Sequence, residues 1–155
     1  MQVTVLAGDL LDQDVDVIVN AWNRNPFPWW LLLPQGVSGA IRRRAGLEPF
    51  RELGRFGLLS LGDAVVTGPG RLPFKAIIHV AGIGLLWSAS EQSIRASTIN
   101  ALLLAHGAGF RSLAFPLIGA GTGGFPPARV EAIMLDSMAH SRFAGEVRIV
   151  KYWRV

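Results

Sequence analysis

The 155-residue chain has no cysteine, one tyrosine and three histidines. Without thiols there can be no disulfide, no thiolate metal site and no cysteine nucleophile. The histidines, His79, His106 and His140, lie far apart with no ligand spacing, so no metal site is expected. No uninterrupted apolar run reaches membrane-spanning length. The first residues show no basic segment leading into an apolar stretch, so no signal peptide is expected either. A cytoplasmic location fits these absences. Lysine is scarce as well: it occurs only as Lys75 and Lys151, and the rest of the 15 basic residues are arginine.

Half of the residues are apolar, and length and composition together predict one domain over residues 1–155 with a core that needs no staples. The formal net charge is +4. Arginine matches phosphate and carboxylate in a bidentate way. Apart from Arg42, Arg43 and Arg44, however, the arginines are scattered, and no basic stripe interleaved with aromatics appears. Nucleic acid is therefore not the expected partner.

The stretch around which the chain is organised runs from Phe115 to Pro126. A short apolar segment, Ser112–Phe115, reads as a buried strand. Gly119, Ala120, Gly121, Thr122, Gly123 and Gly124 follow, and a helical pattern begins near Pro127. Four glycines in six residues exceed the needs of one tight turn. They allow positive φ and a close approach of ligand to backbone. The helix start beyond them offers unpaired N–H groups and the positive end of the macrodipole. The combination predicts an anion site, most simply for phosphate.

The remaining elements read as follows. Strands are predicted at Met1–Ala7, Asp14–Ala21, Gly62–Thr67, Phe74–Ala81 and Gly145–Tyr152, the last with the alternation of an edge strand. Helices are predicted at Ala40–Ala45, Pro49–Gly57, Ser90–His106 and Ala128–His140. Gly36, Val37, Ser38 and Gly39 open the first helix and form a second candidate anion site. Between Asn25 and Pro34, three prolines forbid regular structure while Trp29, Trp30 and three leucines are too apolar for a solvated loop. This segment is expected to pack on the body, to act as a lid or to form an oligomer contact. About six strands interleaved with about four helices predict an α/β fold, with helices on both faces of a mostly parallel sheet. Ligands then bind beyond the carboxyl ends of the strands, where Asp9, Asn23 and Gly119–Gly124 all fall.

Three loops therefore converge: Gly8-Asp9-Leu10, Asn23 with the Gly36–Gly39 turn, and the glycine loop. An aspartate can accept from an exocyclic amine, an asparagine can bind ribose hydroxyls, and two helix starts can hold two phosphates. That set matches a nucleoside diphosphate carrying a second sugar.

Five motifs, in order along nearly the whole chain, resemble the macrodomain family. They are Gly8-Asp9-Leu10, the strand Val17–Asn23, Gly36–Ile41 with Ala45-Gly46, Ile78–Gly82, and the Pro116–Pro126 loop. The resemblance implies a three-layer α/β/α fold that binds ADP-ribose and, as partners, mono-ADP-ribosylated proteins; it calls for no cofactor. By this resemblance Asp9, beside Leu10, would hold the adenine amino group. Gly36, Val37, Ser38 and Gly39, with Gly119–Gly124, would wrap the diphosphate. Asn23 would contact the distal ribose, and Phe125 takes the aromatic position after the loop. His79 reads as a packed strand residue and not as a catalyst.

The departures from the family bear on catalysis. Ser38 stands where enzymes of the family that remove ADP-ribose from proteins usually carry an aspartate. Leu33-Pro34-Gln35-Gly36 replaces a run of glycines, and Gly123 replaces both an aromatic and the aspartate of a second branch. The lysine of that branch has no counterpart, because Lys75 and Lys151 lie outside both loops. Two functions stay open. One is a hydrolase releasing mono-ADP-ribose from protein side chains, acidic ones foremost, with Asn23 and Ser38 as candidate catalytic residues and the substrate's phosphate as base. The other is a reader that binds ADP-ribose without turnover.

Overall fold

The computed structural model describes residues 1–23, 36–83, 89–120 and 124–152. The Asn25–Pro34 segment with both its tryptophans, and Gly121, Thr122 and Gly123 of the glycine loop, lie outside the described residues. The strands are β1 (Gln2–Gly8), β2 (Val17–Asn23), β3 (Ala64–Thr67), β4 (Ala76–Ile83), β5 (Ser112–Phe115) and β6 (Glu146–Tyr152). The helices are α1 (Gly36–Ala45), α2 (Glu48–Gly54), α3 (Glu91–Ala108) and α4 (Pro127–Met138), and a single 3-10 turn spans Leu10–Asp12. The strands form one sheet in the order β1-β6-β5-β2-β4-β3. Every neighbouring pair is parallel except β3–β4, which is antiparallel.

Alternation along the inner strands divides the core into two layers. Val17 and Val19 of β2, Ile78 and Val80 of β4, and Leu113 and Phe115 of β5 pack with α3 and α4. Ile18, Ile77, Ala81 and Ala114 face the other way, onto Ile41 and Ala45 of α1 and Phe50 and Leu53 of α2. Most of these side chains are fully buried, and each large one stabilises the fold by about 1.5–3 kcal/mol. The α/β/α layering expected from the sequence is the one observed.

Three element assignments need correction. First, β6 is not an edge. It lies between β1 and β5, and its polar positions are satisfied locally, since Arg148 donates to Glu146 (2.7 Å) and to the Gln13 side chain (3.1 Å). Second, α1 begins at Gly36, not at Ala40. Its glycines are poor helix formers, but Ser38, Ile41 and Ala45 bury a common face against the sheet, and that burial extends the helix through the turn. Third, Asp14–Asp16 is not strand. The Asp16 amide donates to Ser112 Oγ (2.7 Å), and its carboxylate accepts from the Arg111 amide (2.8 Å) and pairs with Lys75 (3.3 Å). The Arg111 amide hydrogen bond, helped by Lys75, holds the Asp16 carboxyl below its usual range.

Because β1, β2, β4, β5 and β6 run parallel, their carboxyl ends form one rim. Near that rim the β2–β4 register slips between Ala21, opposite Val80, and Asn23, opposite Ile83. The slip leaves an extra residue in β4 beside the site, where such bulges commonly re-aim side chains.

Candidate functional site

At the end of β1, Asp9 caps the 3-10 turn. Its Oδ1 accepts from the Leu11 amide (2.9 Å), and its carbonyl accepts from the Gln13 side chain (3.0 Å). The second carboxylate oxygen has no partner among the described residues, and the side chain is half-buried. Asp9 thus has one carboxylate oxygen fixed by the fold and a second without a partner among the described residues. Leu10 is buried with Leu11, so only its backbone can reach the rim. Opposite Gly8 in the parallel register stands Tyr152, 48% exposed. Nothing in the sequence reading singled it out. The signal available was an isolated tyrosine just past the apolar part of the last strand.

Asn23 is the last residue of β2, and α1 opens at Gly36. Ser38 and Gly39 are buried in the first turn of that helix. Ser38 Oγ lies 2.7 Å from Asn20 Oδ1. The Asn20 amide nitrogen is 3.0 Å from His79 Nδ1, and His79 Nε2 is 2.8 Å from Thr67 Oγ1. Thr67 in turn donates to the Gly68 carbonyl (3.0 Å). Asn20 and His79 are register partners in β2 and β4, and this chain of four side chains crosses the sheet on its α1/α2 side. Desolvation lowers the His79 pKa to about 3, and the Phe50 ring meets the imidazole edge-on at 6.0 Å. His79 is therefore a neutral packed residue, as read from the sequence. Asn20 and Thr67 were missed as members of a network, although a polar residue inside the apolar run Val17–Ala21 demands a buried partner.

The foot of the glycine loop is tightly built. The Ala120 amide donates to the Leu117 carbonyl (3.2 Å), and the Phe125 amide closes the loop onto the Gly119 carbonyl (3.1 Å). Gly119 has φ +82°, and a Cβ there would lie 2.5 Å from the Ala89 methyl carbon. A Cβ on Gly82 of β4 would lie 2.6 Å from Ile118 Cγ2. Only glycine at these two positions lets the loop foot approach Ala89, just before α3, and β4 so closely. At Gly124 an added Cβ would meet nothing within 4 Å among the described residues. Phe125 is half-buried beneath the Arg129 guanidinium, 5.1 Å from ring centroid to Cζ, and Arg129 also approaches Glu91 at 3.9 Å.

The fold thus brings Asp9, Asn23, the Gly36–Gly39 turn, Gly119, Ala120, Gly124 and Phe125 to one rim. The α1 start and a glycine-rich foot supply backbone donors without a basic side chain from α1's first turn, whereas α4 opens on Pro126 and Pro127, which carry no N–H. Among the described residues no cluster of His, Cys, Asp and Glu could hold a metal ion.

The family model for the Macro domain matches residues 19–134. The chain belongs to the macrodomain family. An O-acetyl-ADP-ribose deacetylase of Enterobacter sp. is 37% identical over 146 residues, covering 89% of this chain and 77% of the relative. A mutant of the Oceanobacillus iheyensis macrodomain solved with ADPR aligns at a TM-score of 0.82 and 29% identity, over 96% of this chain and 84% of the other. The Trypanosoma brucei macrodomain in complex with ADP-ribose aligns at 0.82 and 26%, over 98% of this chain and 64% of the other. Within this macrodomain the Asp9 turn, the α1 start and the foot of the glycine loop all open at the rim. A surface pocket of about 390 Å³, lined by His106, Phe110, Arg111 and Phe143, lies at the opposite, amino ends of β5 and β6.

Proposed function

We propose that this macrodomain binds ADP-ribose along the rim and hydrolyses carboxylic esters of it, releasing mono-ADP-ribose from acidic protein side chains and the acetyl group from O-acetyl-ADP-ribose. The convergence of the Asp9 turn, the α1 start and the glycine-loop foot carries this reading. Asp9 offers its unpaired oxygen to the adenine amino group, with Tyr152 beside it as a face for the base. The Gly36–Gly39 turn and Gly119–Gly124 take the two phosphates through backbone N–H groups, and Asn23 takes the distal ribose.

In the protein ester, water adds at the anomeric carbon and the side-chain carboxylate departs, a better leaving group than an amide would offer; the proton lost by the water passes to a ligand phosphate oxygen and on to solvent. In O-acetyl-ADP-ribose, water adds at the acetyl carbonyl carbon and the ribose oxygen departs, taking up a proton to leave the free hydroxyl and acetate. Positioning of that water contributes several kcal/mol of barrier lowering. Ser38 is a hydroxyl, not a carboxylate, and as a weak base it orients the water without deprotonating it. A cytoplasmic location goes with this reading. Among the described residues no helix is long and apolar enough to cross a membrane.

The absence of a carboxylate from the α1 turn supports the second reading, a reader that binds without turnover. Incubation with a glutamate-ADP-ribosylated protein, and separately with O-acetyl-ADP-ribose, separates the two. Free ADP-ribose is the expected product, whereas stable binding of both compounds without release leaves the reader.

A further inference from the structure

The polar chain behind the α1 turn has a direction, and one carbonyl sets it. The Gly68 carbonyl can only accept, and the Thr67 hydroxyl donates its single proton to it (3.0 Å). Thr67 Oγ1 must then accept from His79 Nε2 (2.8 Å), which puts the imidazole proton on Nε2 and leaves Nδ1 bare. Bare Nδ1 accepts from the Asn20 amide nitrogen (3.0 Å). That orientation turns Asn20 Oδ1 to Ser38, whose hydroxyl donates to it (2.7 Å). With all four side chains buried, this is the arrangement that pairs each of them and also keeps a donor on the Gly68 carbonyl. In the reverse direction Thr67 would face two acceptors with one proton. The imidazole stays neutral because burial holds its pKa near 3, so the direction persists at ordinary pH.

Ser38 consequently has no proton left to offer the rim. We propose that Ser38 meets whatever binds at the α1 turn as a hydrogen-bond acceptor only, so that the turn receives a hydroxyl donor, either a ligand ribose hydroxyl or the attacking water, and that the buried Thr67 and His79 are positioning residues that set this polarity. Neither of these residues belongs to the rim; both act through Asn20. The inference rests on the reading that the rim binds ADP-ribose. It excludes Ser38 as a donor to a phosphate and as a general acid.

The test uses nitrogen NMR of the imidazole together with ADP-ribose affinity and ester turnover. The wild-type protein should show His79 protonated on Nε2. Thr67→Val removes the acceptor for that proton. The proton then shifts to Nδ1, the Asn20 amide turns over, and Ser38 accepts from Asn20 and releases its own proton toward the rim. Thr67→Ser keeps the hydroxyl and should keep the wild-type tautomer and function.

In Thr67→Val, a roughly tenfold loss of turnover at unchanged Kd identifies water as the donor, and a comparable loss of affinity identifies a ribose hydroxyl. If Thr67→Val does not fold, Thr67→Ala makes the same break with a smaller side chain. A wild-type His79 protonated on Nδ1, or a folded variant with affinity and turnover unaltered, overturns the inference. A wild-type protein that binds ADP-ribose without turnover ends the hydrolase reading alone. Tautomer and affinity then decide, and an unaltered affinity in Thr67→Val counts against the proposal.

Discussion

His79 makes the fold sensitive to mild acid, and the size of the effect follows from its burial. In the unfolded chain its imidazole titrates at the ordinary 6.5, whereas in the folded protein desolvation lowers that value to about 3. Between these values the unfolded chain binds a proton that the folded protein refuses, so stability falls as pH drops. The slope is about 1.4 kcal/mol per pH unit, and two units below 6.5 the folded state has lost about 2.7 kcal/mol. That is a large part of the 5–15 kcal/mol typical of a domain. Asp16 adds to the loss only at lower pH, since its carboxyl departs downward from 3.8. The window from pH 6.5 to 4.5 therefore isolates the histidine. Urea unfolding of wild type and His79→Gln across that window should give a steeper fall for wild type by about 1.4 kcal/mol per unit. The variant's overall stability can shift either way; the difference in slope carries the argument. Parallel slopes, or an imidazole that titrates near 6.5 in the folded protein, would refute it.

Asp9→Ala removes the acceptor of the Leu11 amide and should cost about 1 kcal/mol of stability. It should also lower ADP-ribose affinity by about 1.5–3 kcal/mol, the range for a hydrogen bond to a charged group, as read by thermal melts and calorimetry. Gly82→Ala drives a methyl carbon against Ile118 Cγ2, 2.6 Å from its ideal position. Overpacking of this kind costs about 1–3 kcal/mol, and melting temperature and affinity should fall together because Ile118 underlies the glycine loop. Tyr152→Ala should weaken ADP-ribose and AMP alike by about 1–3 kcal/mol, the range for stacking one base on an aromatic ring, with little change in melting temperature since the ring is half exposed.

The layers and the rim were legible in the sequence because they depend on local signals. Apolar runs at Val17–Ala21 and Ile77–Ala81 mark buried parallel strands, and Ser90 and Gly109 mark the ends of α3, where the structure has a capping box and a left-handed cap at φ +75°. The glycine loop declared itself by composition. Strand order was not legible. The alternation of Glu146, Val147, Arg148 and Ile149 reads as an edge, because nothing nearby in the sequence says that Gln13, over a hundred residues earlier, will satisfy Arg148. The extension of α1 back to Gly36 was hidden for a related reason. Two glycines argue against helix locally, and only tertiary burial of the Ser38 face overrides them. At the site, Asp9, Asn23 and the glycines came from turn chemistry and family resemblance. The links among Ser38, Asn20, His79 and Thr67 span three strands and a helix, so no spacing in the sequence announces them. Tyr152 enters the proposed site only through its register opposite Gly8.

Calorimetry with ADP-ribose and AMP tests the central claim most directly. If the two glycine turns hold two phosphates and Asn23 a second ribose, ADP-ribose binds with a micromolar Kd, about −7 to −8 kcal/mol. AMP, which leaves the second phosphate and distal ribose positions empty, then binds far more weakly. Equal affinities for the two ligands, or no binding of ADP-ribose at all, would contradict the account.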